Sequence, residues 1–283
     1  MKKAVLIQPG KLGDVLLSAP MAKYYSDQGL EIHWPILSNF ESMVQRFDYV
    51  TARSFDIGLD DYNYYSNKRT GFFNKRTTCG ERSAQFFNEV YKTYSRTQYR
   101  FIDPCFAFPG HQPSPGSPEV IQQWLESGRS WVGLKYHLAE VPLRERWNLQ
   151  YERNEQKEEA LLELIKKYAY KKYKSDNFSI VHTYTGGNLP TYTGPNPIQF
   201  GFIKGYEIVD WLKVLENATE IVCVDSCLCH FVEVSPSLNK IKKTYLGTEE
   251  KHYTPFMDNI LFNNWNNLSP SNLSYGNKTL ETI

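Results

Sequence analysis

The sequence predicts an α/β protein made of two successive parallel-sheet domains. Three observations carry that reading: strand and helix patterns alternate from the N-terminus, a Pro/Gly-dense stretch interrupts them at 104–118, and a second alternating series follows. At 283 residues the chain is long enough for two domains of ordinary size.

The elements follow in order. The apolar run at 3–8 is a strand, 14–27 a helix ending at Gly29, "LEIHWPI" from Leu30 a second strand, 38–47 a helix, and "DYVTARS" from Asp48 a third strand. Residues 60–80 lose all periodicity and read as a long loop. A helical pattern from Glu81 and the short strand "YRFID" follow it, and a helix around "EVIQQWLE" follows the connector. The second series opens with a helix over 154–172, whose acidic residues precede its lysines in the order the helix dipole favours. It continues with the strand "FSIVHTY", the loop "TGGNLPTYTGPNP", the strand "IQFGFI", the helix "YEIVDWLKVLENA", the strand "EIVCVDS", the helix "CLCHFVEVS" and the strand "KIKKTYL". The polar tail beyond Asn263 reads as helix or coil. We divide the chain into 1–138 with its connector, 139–265, and a tail at 266–283 that packs back on the first domain.

Composition narrows the function. A formal charge of +1 excludes a globally basic nucleic-acid binder. The apolar stretch in "MKKAVLIQPG" is too short for a secretory signal, and none reaches the roughly 18–20 residues of a membrane span. Five cysteines, an odd number, point to reduced thiols and a cytoplasmic location.

In open parallel sheets ligands bind beyond the carboxyl ends of strands, which directs attention to the residues after each one. "QPGKLGD" follows the first strand. Gly10 and Gly13 let the backbone come close to a ligand, and Lys11 offers a cation near a helix N-terminus. Asp14 has two readings: a cap accepting from the amides of residues 16 or 17, or a general base aimed at a substrate hydroxyl. The spacing lacks the three glycines of a dinucleotide fingerprint.

A second strand–turn–helix passage, "EIVCVDSCLCHFVE", spans 220–233. Asp225 or Ser226 at the cap would leave free amides near Cys227–Cys229 for a diphosphate, with His230 one turn further. A capped helix with a core histidine is the alternative. Cys223, Cys227 and Cys229 with His230 lack the paired knuckles of a structural zinc site, and no metal is expected.

"KLGDVLLSAP" and "VDSCLCHFVE", in this order, resemble the heptosyltransferase-like glycosyltransferases of the GT-B fold, the superfamily of the ADP-heptose:lipopolysaccharide heptosyltransferases. The family pattern is a basic residue, Leu-Gly-Asp and a helix, then Asp-Ser/Thr-Gly and a helix carrying His. The resemblance covers these two motifs and the order of elements, and the chain departs from it at Cys227, where the family usually has glycine. It implies two Rossmann-like α/β/α domains facing a cleft, Asp14 as catalytic base, Gly13 as the close-approach glycine, and Asp225, Ser226 and His230 around the donor diphosphate. It also implies a metal-independent, inverting transfer from a nucleotide-diphosphate sugar, with no cofactor required.

Further candidates complete the expected site. Lys135, Arg146, His182 and Lys204 are placed with the donor, since cations and amides suit its phosphates. The glycines of "HTYTGGN", Gly186 and Gly187, suit phosphate or sugar equally. Lys68, Arg69, Lys75 and Arg76, interleaved with aromatic residues, are placed with an anionic acceptor, either a phosphorylated glycan or glycolipid or a nucleic acid. The alternatives are a nucleotide-sugar epimerase of the same fold and a non-catalytic carbohydrate- or nucleic-acid-binding module.

Overall fold

The computed structural model describes residues 2–8, 12–55, 86, 89–104, 131–183, 189–190, 194–247, 264–268 and 275–276. The chain divides into two compact units, Met1–Tyr151 and Glu152–Ile283.

The first unit begins β1 (Lys3–Leu6), α1 (Leu12–Asp27), β2 (Glu31–Leu37), α2 (Ser38–Val44), β3 (Val50–Phe55), β4 (Arg100–Ile102) and α3 (Trp131–Leu138). Among the described residues its sheet has the order β3-β2-β1-β4, every pair parallel. The central position of β1 explains its unbroken apolar run: Ala4, Val5, Leu6 and Ile7 are fully buried, with both faces of the strand covered. Helix α1 starts two positions before the expected Asp14 and ends as the sequence requires, with Gly29 at φ +82° just beyond it.

Residues 139–151, expected to open the second domain, belong to this first unit. A short 3-10 helix (Leu143–Trp147) follows α3. Tyrosine hydroxyls tie the whole stretch down: Tyr25 Oη donates to the Ala139 carbonyl at 2.7 Å, Tyr136 Oη to that of Leu17 at 2.9 Å and Tyr49 Oη to that of Gln150 at 2.9 Å. Burial pushes the Tyr136 and Tyr49 phenols well above the usual range, so all three donors stay protonated.

The second unit contains α4 (Glu155–Tyr173), β5 (Ser179–His182), β6 (Leu189–Pro190), β7 (Pro197–Gln199), α5 (Leu212–Asn217), β8 (Glu220–Cys223), α6 (Cys227–Glu233), β9 (Lys242–Leu246), β10 (Trp265–Leu268) and β11 (Tyr275–Gly276). Its main sheet has the order β10-β9-β8-β5-β7, again parallel throughout. Asn154 caps α4 by accepting from the Lys157 amide at 3.0 Å. The expected strand "IQFGFI" stops at Gln199, because Phe200 turns its ring against His182 and Trp211, at centroid distances of 5.1 and 4.8 Å. The expected helix over 206–218 divides into a 3-10 turn (Ile208–Trp211) and α5, the turn stapled by Asp210 accepting from the Glu207 amide at 2.8 Å.

The tail corrects its expectation too. Trp265–Leu268 extends the second sheet as an edge strand on β9, and Tyr275–Gly276 pairs antiparallel with Leu189–Pro190. The Trp265 indole donates to the buried Glu233 carboxylate at 2.8 Å, which fixes the strand to α6. These described tail residues thus pair within the second unit, as strands and not as helix or coil.

Both sheets place their potential sites by the same rule. In a doubly wound sheet the crevice for a ligand opens where the strand order reverses direction. In the first unit that point is β1–β4, beyond which come Gln8 and α1. In the second it is β5–β8, beyond which come His182, Thr183, Asp225 and Ser226.

Candidate active site

At the end of β1 the chain passes to α1, and Asp14 falls in the first turn of that helix. Its carboxylate accepts from none of the described amides. Its described partner is the ammonium of Lys135 in α3, with Nζ 3.3 Å from Oδ1. Lys135 also donates to the Gln8 side-chain carbonyl at 2.8 Å, and Gln8 in turn accepts the Trp34 indole N–H on its backbone oxygen at 2.9 Å. Gln8 and Lys135 are both buried, while the Asp14 side chain keeps 19% of its surface exposed. Of the two sequence readings of Asp14, the geometry lacks the capping bonds and supplies a fixed cation instead. One carboxylate oxygen of Asp14 thus faces the Lys135 ammonium near the helix N-terminus.

Lys135, placed by the sequence with the donor at the start of the second domain, lies in the first unit beside Asp14. Arg146, placed with it, is also in the first unit, fully buried, its guanidinium 4.4 Å above the Trp147 ring. Gly13 is the second residue of α1. Gly10, Lys11, Lys68, Arg69, Lys75, Arg76, Gly186 and Gly187 lie outside the described residues. Gln8 escaped the sequence reading, although a polar residue closing the buried run "AVLI" was a legible signal.

In the second unit, β5 ends at His182 and β8 runs through Val224 into the Asp225–Ser226 turn; the Val224 amide donates to the His182 carbonyl at 3.0 Å. Burial against Phe200 pulls the His182 pKa down to about 4, so the imidazole is neutral at pH 7. Among the described residues neither His182 Nδ1 nor the buried Thr183 hydroxyl has a hydrogen-bond partner. Two polar groups left open at a strand end are a place for a polar ligand. Lys204 is exposed on the turn after β7, beside Gly205 at φ +90°.

Ser226 is the N-cap of α6: its hydroxyl accepts from the Cys229 amide at 3.4 Å. Asp225, half-exposed, stands 3.6 Å from Nε2 of the buried His230. Burial pushes the Cys227 thiol up to about 11, and the buried Cys229 thiol, packed on Cys223, is raised well above its ordinary value. All three thiols are free, and among the described residues no three His, Cys, Asp or Glu side chains converge in a metal-binding group. No described helix is long and apolar enough to cross a membrane.

No protein-family model matches the chain, and no curated protein matches it in sequence. Among solved structures it is similar to the glycosyl transferase family 9 protein from Veillonella parvula DSM 2008, at 12% identity over 95% of this chain and 86% of that one, with a TM-score of 0.53. It is also similar to the E. coli ADP-heptose LPS heptosyltransferase II, at 14% identity over 95% and 90% of the two chains, with a TM-score of 0.48. The Veillonella likeness carries the fold: two parallel α/β units of the GT-B kind. The structural neighbours are glycosyltransferases.

Proposed function

We propose that the protein is a glycosyltransferase that moves a sugar from a nucleotide-diphosphate sugar to an acceptor hydroxyl. The observation that carries this reading is the placement of Asp14, at the switch point of a GT-B-type sheet, with its carboxylate engaged by Lys135 and not by helix amides. Asp14 takes the proton of the acceptor hydroxyl as its oxygen attacks the anomeric carbon. Attack comes from the face opposite the nucleoside diphosphate, so the bond to the diphosphate breaks as the new glycosidic bond forms and the configuration inverts.

The second unit handles the donor. His182 and Thr183 offer polar groups at the end of β5, Ser226 and the turn before α6 meet the diphosphate with Asp225 and His230 beside them, and Lys204 adds a cation from the next loop. Charge developing on the diphosphate is met by these dipoles and the cation, and the transfer requires neither a divalent ion nor a cofactor. Cys227, in the place of the family's glycine, is a protonated thiol at pH 7 and brings no negative charge to the phosphates. The acceptor is anionic, a phosphorylated glycan or glycolipid or a nucleic acid, received by Lys68, Arg69, Lys75 and Arg76, and the reaction runs in the cytoplasm.

Thermal-shift measurements with ADP, UDP and GDP and with their sugar conjugates test the class: at least one raises the unfolding temperature. A flat response to all of them removes the donor site. Transfer that survives Asp14→Ala at the wild-type rate removes the base.

A further inference from the structure

A lysine with 5% of its side chain exposed is unusual inside an α/β unit, because an ammonium withdrawn from water is costly unless its charge is compensated. Lys135 is placed by α3, whose neighbouring residues Val132, Leu134 and Tyr136 are buried. Its Nζ bridges two groups on either side of the β1–α1 turn: the Gln8 carbonyl oxygen at 2.8 Å, before the turn, and Asp14 Oδ1 at 3.3 Å, after it. The Gln8 backbone is anchored separately by the Trp34 indole at 2.9 Å. One ammonium therefore ties the start of α1 to the end of β1 and grips one carboxylate oxygen of the residue proposed as base.

We infer that Lys135 is the positioning residue of Asp14: it holds Oδ1 and leaves Oδ2 to accept the proton of the acceptor hydroxyl. The inference rests on the reading of Asp14 as general base, and it takes Lys135 out of direct donor binding. No bond to substrate is made by Lys135. Its effect is on the direction of the carboxylate, and a misplacement of about 1 Å in such a group costs on the order of 100-fold in rate.

Two measurements on the full chain test it, with Lys135→Met, Asp14→Asn and the double variant. In urea unfolding, which needs no substrate, the double variant loses less than the sum of the two single losses, because each change removes the same ion pair. Strictly additive losses overturn the contact. In turnover, the probe is release of the nucleoside diphosphate from ADP-glucose, UDP-glucose and GDP-mannose with water as acceptor. Lys135→Met lowers kcat about 100-fold and leaves KM within about two-fold of wild type, and it lowers kcat no further in the Asp14→Asn background. A raised KM at unchanged kcat makes Lys135 a donor ligand and overturns the proposal. An equal fall in both backgrounds makes it merely structural and does the same. Full turnover by Asp14→Asn overturns the base itself, and the urea cycle separates that failure from the loss of the Lys135 contact.

Discussion

The two strand-to-helix turns that the sequence singles out, before α1 and before α6, are built on opposite plans. At α6 the described contacts are local: Ser226 accepts from the Cys229 amide, and Asp225 stands 3.6 Å from His230 Nε2 in the first turn of the helix. At α1 the acidic side chain lies within the helix, accepts from none of the described amides, and depends on a lysine from a distant helix. The cap at α6 is thus made by residues three apart in sequence. A carboxylate held by a remote cation is suited to moving a proton. The proposed function uses that difference when it gives the donor to one turn and the base to the other.

The sharpest way to break that comparison is at the ion pair itself. Its members are unequally buried, 5% exposed for the Lys135 side chain against 19% for Asp14, so their loss is unequal too. Asp14→Ala takes the facing carboxylate from a buried ammonium and costs about 3–5 kcal/mol, together with a fall of about 10²–10⁴ in rate. Lys135→Met leaves a carboxylate that can hydrate and removes the Lys135–Gln8 hydrogen bond, and costs about 2 kcal/mol. Urea unfolding at pH 7 gives both numbers. Equal costs would mean that the pair is solvated and that Asp14 has no need of its partner.

A smaller effect sharpens the donor side. His182 has a folded pKa of about 4 against an ordinary 6.5, so below 6.5 the unfolded chain binds the proton that the folded chain refuses. Stability from this group is complete above the unfolded value and falls as the pH drops toward the folded one. Between pH 7 and 5 the loss is about 2 kcal/mol, and His182→Gln flattens that part of the profile. Parallel urea titrations of the two proteins at those pH values measure the difference. A wild-type profile no steeper than the variant's would mean that the imidazole is solvated and charged.

These differences also mark how far the sequence could be read. The β1–α1 turn was legible because its signals are local: a buried apolar run, two glycines and an aspartate within a few residues. Asp14 was therefore found, but with two readings left open. Its partner was not legible as such, since Lys135 lies far along the chain, 127 positions beyond the Gln8 that it also bonds. Lys135 and Arg146 lie in a basic, aromatic stretch, and composition reports charge without saying which unit will bury it. The tyrosine bonds to Ala139 and Gln150 decide that, and they exist only after folding. The tail was missed for a related reason. "WNNL" has little strand propensity of its own, and becomes a strand because β9 supplies the backbone partners and Glu233 receives the Trp265 indole.

The smallest effect belongs to Ser226, and it tests whether the α6 turn is only a cap. The Ser226–Cys229 bond is long at 3.4 Å, so Ser226→Ala costs about 0.5–1 kcal/mol, the low end for a lost N-cap, and Ser226→Gly a few tenths. Urea unfolding of the unliganded chain reads that term alone. The same hydroxyl stands where the diphosphate of the proposed donor would lie, which adds a second term visible only with ligand present. Addition of the nucleoside diphosphate that stabilises wild type then raises the unfolding temperature of Ser226→Ala by less. An unchanged ligand shift with the expected loss of stability confines Ser226 to the helix, and leaves the diphosphate to the backbone amides and Lys204.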